Sequence, residues 1–204
     1  MRSAAKRGEM CASQAGFTLS ELLVVVSIIG IVAGLSLPNL SRSIDNARLN
    51  GATQKLAAVY QEARLRATQS NSIYTIVVSP PGVTPARICI DLDGNGLCGA
   101  GDPVTVFPAQ VSLGGSGVPQ LTAAQLGFSP SDLDPTLGIG WNGLGNPCQR
   151  SSSVSPCAAI GWVQYLRFQR TSDDILYTAV TVSPTGRIKT WTYRPSEHGN
   201  GTWF

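Results

Sequence analysis

Residues Phe17–Leu37 read FTLSELLVVVSIIGIVAGLSL, 21 residues with a single charge, Glu21. As a helix this run reaches about 31 Å, close to the ~30 Å hydrocarbon thickness of a bilayer. Arg2, Lys6 and Arg7 precede it. Basic residues stay on the cytoplasmic side, so the chain beyond Leu37 is expected outside. A cleaved secretory signal would carry its small residues after the apolar run, whereas Gly16 stands before it. An ordinary anchor has no use for a carboxylate at its fifth residue, and a soluble core helix is rarely apolar for so long. An acid placed there is costly in lipid and is expected to serve a function, most simply by meeting a positive partner.

Pro38 follows the run, removes one helix hydrogen bond and is expected to kink or loosen the rod. Beyond it, Leu40, Ile44, Ala47, Gly51, Ala58, Val59 and Leu65 recur at roughly helical spacing to about Ser70, a stripe expected to pack on a sheet. Gly51 weakens that stretch by roughly 1 kcal/mol. After Ser70 the period changes. Strands are expected at Ile73–Ser79, Ala86–Ile90 and Val104–Phe107, then at Gly161–Arg170, Ile175–Ser183 and Gly186–Tyr193. Turns at Thr171–Asp174 and Pro184–Gly186 imply consecutive antiparallel pairing. Pro108–Ser155 is rich in glycine, proline and serine and reads as irregular, with a weak strand near Gln120–Thr122. The expected class is α+β: a leader over 1–16, a transmembrane helix over 17–37, its continuation over 38–70, and a β-rich head over 71–204 whose twisted, mainly antiparallel sheet packs on the helix.

The chain has 204 residues and a formal charge of +3, of which Arg2, Lys6, Arg7 and Glu9 carry a net +2. The remaining charge of about +1 excludes a general affinity for polyanions. Distribution says more. Asp91, Asp93, Asp102, Asp132 and Asp134 form an acidic stretch without Lys or Arg, and Arg150, Arg167, Arg170, Arg187, Lys189 and Arg194 follow. Cys11 lies in the leader, leaving Cys89, Cys98, Cys148 and Cys157. Four cysteines allow three pairings. The two local bridges, Cys89–Cys98 and Cys148–Cys157, are favoured because each closes a loop containing glycine or proline. A zinc site is disfavoured, since no CxxC occurs and His198 is the single histidine.

At Gly16-Phe17-Thr18-Leu19-Ser20-Glu21 the chain resembles the class III signal of type IV pilins and type II secretion pseudopilins. The resemblance implies cleavage between Gly16 and Phe17 by a membrane aspartyl peptidase, methylation of the new N-terminus, and a type IV pilin-like fold. It makes Glu21 the assembly glutamate that pairs with the terminal amine of a neighbouring subunit. Opposite charges in a helix bundle of low dielectric attract strongly. The implied partners are the prepilin peptidase, other pilins or pseudopilins and an inner-membrane assembly platform. The implied location is the inner membrane, single-pass with the head outside the cytoplasm, and a pilus or pseudopilus afterwards. With the Asp-rich hairpin and Val182-Ser183-Pro184-Thr185-Gly186-Arg187, the layout most resembles minor pilins and pseudopilins of the GspH/FimT type. Pilus initiation or tip placement is the function this implies, with a type II secretion pseudopilus as the alternative.

Two surface sites stand out. Asp91, Asp93 and Asn95, with Gly96 sixth and Asp102 twelfth, copy the oxygen-donor spacing of a calcium loop. The competing reading is a polar hairpin turn, for which Asp-Gly and Asn-Gly are preferred dipeptides. Gly186-Arg187-Ile188-Lys189 resembles the Gly-Arg-x-Arg element through which some FimT-type pilins bind DNA during transformation, with Lys189 in the second basic place. Arg187 and Lys189, two apart on a strand, are expected to share a face. Arg167, Arg170 and Arg194, with Trp191 and Tyr193, would extend a cationic stripe for phosphates. The competing reading is an ordinary solvated strand. Catalysis has no foothold. GxSxG, P-loop and HExxH motifs are missing, His198 lies in a glycine-rich tail, Asp173-Asp174 reads as a turn pair, and no cofactor is required. The Asn200-Gly201-Thr202 triplet fits a glycosylation sequon, a pattern frequent by chance.

Overall fold

The computed structural model describes residues 16–80, 82–114, 117–130, 138–149, 158–169, 175–195 and 201–204, with the backbone alone at 35–39, 158 and 159. The expected turn at 171–174, Arg150, Arg170, Cys157, His198 and Asn200 lie outside the described residues. The chain divides into two compact units, Met1–Arg42 and Ser43–Phe204.

Helix α1 runs Leu19–Ser70, ends where its periodicity ends, and is continuous through Pro38. In the first unit its large side chains from Leu22 to Val32 are all between 51% and 64% exposed, so no face of the helix is buried there. Among the described residues no helix is long and apolar enough to cross a membrane. The side chains described continuously from Leu19 end at Gly34.

In the second unit α1 buries Leu49, Ala52, Thr53, Leu56, Val59, Tyr60, Ala63 and Ala67. These steps of three and four make one stripe. It is a different stripe from the one expected: of that set only Val59 is buried, while Leu40, Ile44 and Leu65 are exposed. The buried face uses Ala52, Thr53, Ala63 and Ala67, small residues that carry little hydrophobic signal.

Among the described residues there are two sheets instead of one, with every pair antiparallel. The six-stranded sheet has the order β3-β2-β1-β5-β6-β7, built from β1 (Tyr74–Val78), β2 (Arg87–Asp91), β3 (Val104–Val106), β5 (Ile139–Trp141), β6 (Pro147–Gln149) and β7 (Ala158–Ala159). The five-stranded sheet has the order β11-β10-β9-β8-β4, from β4 (Val111–Leu113), β8 (Trp162–Gln169), β9 (Ile175–Val182), β10 (Ile188–Arg194) and β11 (Thr202–Trp203). All six expected strands are present. The expected irregularity of 108–155 gives way to β4, β5, β6 and a short helix, α2 (Ala123–Leu126). The expected strand at 120–122 is the approach to α2. Thr122 caps that helix, and its hydroxyl and the Gln125 side chain form a capping box.

One core joins α1 to both sheets. Ile76, Ile88, Ile90, Ile139 and Trp141 meet it from the first, and Trp162, Leu166, Phe168, Val180 and Val182 from the second. Trp162 lies edge-on to Tyr60 at 5.7 Å and to Trp141 at 5.9 Å. Such pairs add about 0.5–1.5 kcal/mol beyond area burial. Alternation sends Val163, Tyr165, Ala179 and Trp191 to the opposite face of the second sheet, where they pack with Val118, Leu121 and Trp203. The segment 117–121 is strapped over this face. Tyr177 Oη donates to Gly117 O, Trp203 Nε1 donates to Pro119 O, and the Leu121 amide donates to Tyr165 Oη.

Candidate functional site

At the start of α1, Gly16, Phe17 and Thr18 precede the first helical residue, and Phe17 is exposed. Thr18 and Glu21 bond each other reciprocally. The Glu21 amide donates to Thr18 Oγ1 at 3.2 Å, while the Thr18 amide and hydroxyl donate to Glu21 Oε2 at 3.3 and 3.2 Å. This is a capping box that satisfies helix-end amides and sets a negative charge against the positive end of the helix dipole. The signal for it, a threonine three residues before a glutamate at the head of an apolar run, is in the sequence and was missed there. Glu21 is exposed, so its carboxylate can exchange this local contact for another.

The Asp-rich loop is built from the end of β2. Asp91 is buried, and its carboxylate accepts from the Thr75 hydroxyl at 2.9 Å and from the amides of Gly94 and Gly96 at 2.8 Å each. Burial alone would raise the Asp91 pKa. The Gly96 amide, the Thr75 hydroxyl, the Asp93 side chain and the Gly94 amide together outweigh it and hold the group below the usual carboxylate range. Asp102 accepts from the amides of Leu92 and Gly99, and Asp93 accepts from the amide and side chain of Asn95. Carboxylate oxygens of Asp91, Asp93 and Asp102 lie within 4.8 Å of one another. The side chain of Asn95, the remaining predicted donor, accepts the Leu97 amide. The loop therefore supports itself as a turn and also gathers three acids at a spacing that fits a divalent cation. Cys89 and Cys98 close it as a disulfide, in the favoured pairing. Cys148, on β6, is buried and disulfide-bonded, and its expected partner Cys157 lies outside the described residues.

Of the expected basic stripe, Arg187 is exposed and immediately precedes β10, with its carbonyl accepting the Ser183 amide at 2.9 Å. Gly186, with a φ of +83°, closes the turn before it. Lys189 is exposed with its Nζ 3.3 Å from the centre of the Trp191 ring, and Trp191 Nε1 donates to Thr181 Oγ1. Trp191 and Tyr193 share the Lys189 side of β10 by alternation, and register across β9 sets Arg167 on that side too. Arg194 falls on the other side, its guanidinium 5.2 Å from the Phe204 ring. Arg170 is outside the described residues.

These features meet two likenesses to known proteins. The family described as the prokaryotic N-terminal methylation motif matches residues 11–37, the stretch that holds Gly16, Phe17 and the Thr18–Glu21 box. The chain is type IV pilin-like. A pilin-like protein, PilA1, of Thermus thermophilus is 35% identical over 80 residues, 39% of this chain and 50% of that protein. This pilin-like chain thus spans about half the length of the curated relative it matches. No solved structure matches it. The α+β arrangement of an N-terminal helix with antiparallel sheets agrees with the type IV pilin-like fold.

Proposed function

We propose that this pilin-like protein is a minor pilin, a structural subunit that initiates or tips a type IV pilus and performs no catalysis. Prepilin peptidase cuts after Gly16, Phe17 is methylated, and the helix sits in the inner membrane with the head outside the cytoplasm. At the assembly platform it then joins the helices of other pilins. The observation that carries this reading is the apolar surface of α1. From Leu22 to Val32 the large side chains are half exposed or more on every side. A helix apolar all round belongs in lipid or among other helices, and the matched methylation motif supports assembly with the helices of other pilin-like chains. Glu21 would exchange its bond to Thr18 for a neighbour's amine. The test is Glu21→Ala in the native host. The variant should remain membrane-bound and cleaved while sheared filaments lose it; incorporation at the wild-type level would end the pairing scheme.

The alternative within the same family is a minor pseudopilin of a type II secretion system, favoured equally by the GspH/FimT likeness. Genes for secretion beside its own would decide for it. A second reading adds DNA binding at the tip, favoured by exposed Arg187 and by Lys189 over Trp191. A gel shift with Arg187→Ala and Lys189→Ala controls tests it, and binding insensitive to salt would remove it. For the loop, the convergence of Asp91, Asp93 and Asp102 favours calcium. Chelation should then lower the melting temperature of the head, and an unchanged value would retire the ion.

A further inference from the structure

At one end of the head, three separate elements converge on a single helix side chain. Arg64 of α1 donates from Nη1 to the Gly186 carbonyl at 3.0 Å, and its guanidinium carbon lies 5.4 Å from the centre of the Trp141 ring. Gly186 closes the turn between β9 and β10, its amide donating to Ser183 O. Gly145 closes the turn between β5 and β6, its amide donating to Asn142 O. The two turns belong to different sheets, and both glycines are shaped around Arg64. A Cβ at Gly145 would lie 3.2 Å from Arg64 Nε and 3.0 Å from Thr68 Cγ2, and a Cβ at Gly186 would lie 3.2 Å from Arg64 Cζ and 3.1 Å from Gly145 O. Both glycines also have positive φ, 75° and 83°, which side chains disfavour. A charged donor to a carbonyl, half-buried beside an indole face, is among the stronger local contacts available to a helix residue.

We propose that Arg64 is a clamp that makes the ordering of the two turns one event, so that helix α1 governs the β5–β6 and β9–β10 hairpins together. The hairpins share no strand and no sheet; where their turns come near each other, at Gly186 and the Gly145 carbonyl, Arg64 lies against both. Because the second turn leads into Arg187 and Lys189, the clamp also sets the backbone from which those cations extend.

Hydrogen exchange on the full chain in detergent, read by mass spectrometry, tests this. Arg64→Ala should speed exchange in the 142–146 and 183–186 turns by a similar factor, on the order of tenfold, with β2 unchanged. Arg64→Lys keeps the charge without the planar fork and should fall between at both turns. Faster exchange at 183–186 alone, at neither turn, or equally throughout the head would overturn the clamp. If Arg64→Ala does not fold, Arg64→Lys alone decides: faster exchange at both turns by a similar factor upholds the clamp, and faster exchange at one turn or at neither refutes it.

Discussion

From Leu22 to Val32 helix α1 leaves its apolar side chains exposed all round, whereas from Leu49 to Ala67 the same helix buries one face and gives polar residues such as Arg48, Lys55, Glu62 and Arg66 to the other. Helical content does not separate the two stretches. The second is finished by strands of its own chain; on the function proposed above, the first is finished by lipid or by other helices. The acids divide in the same way. Asp91 has three donors from its own fold, while among the described residues Glu21 bonds only with Thr18 and remains exposed.

The sharpest way to break this contrast is a pair of truncations. Leu56→Ala removes a fully buried side chain and should cost the head about 2–5 kcal/mol, read as a fall in melting temperature. Val25→Ala should leave head stability within about 0.5 kcal/mol. Equal losses would mean that the two stretches are not completed differently.

Asp91→Ala comes next. It strands the Thr75 hydroxyl and two glycine amides, and should cost about 1–3 kcal/mol. The pH dependence has a definite sign. A carboxylate held below its ordinary value contributes its full stability above about pH 4 and loses it as pH falls through the lower, folded value. The wild-type head should therefore soften in acid below about pH 4, and the variant's melting curve should flatten there. Gly51→Ala should move the other way, stabilising the head by roughly 1 kcal/mol, because nothing lies within 4 Å of the added methyl in this helical position. The smallest change is expected from Leu65→Ser on the exposed side of α1, within about 0.5 kcal/mol. A larger loss would place Leu65 in a contact of the head's own making.

Legibility followed the same division. The apolar run, its acid, the end of α1 at Ser70 and the long alternating strands β8, β9 and β10 were readable because local pattern alone determines them. The Cys89–Cys98 bridge was readable because its loop is short. The buried face of α1 was not, since Ala52, Thr53, Ala63 and Ala67 are buried though small and weakly hydrophobic, while Leu40, Ile44 and Leu65 are greasy and exposed. Strands β5 and β6 hid among glycine and proline. Gly140 is required there because a side chain would collide with the Tyr74 carbonyl, and Pro147 begins β6. These are facts of long-range pairing, which no window of sequence contains. At the candidate sites the acids were found in the expected loop, while β10 begins at Ile188, two residues later than the strand read from Gly186. The Thr18–Glu21 box was overlooked, its signal hidden behind the larger one.

The disulfide at the foot of the Asp-rich loop has a practical corollary. Cys89 and Cys98 are nine positions apart, and the ring they close contains Asp91 together with the glycine amides that bind it. Thiol reagents in a purification buffer, or expression in a reducing cytosol, would open that ring and release the chain that cages the buried acid. Recombinant heads are therefore best exported before they are harvested, and any acid-sensitivity measurement should begin with a free-thiol assay.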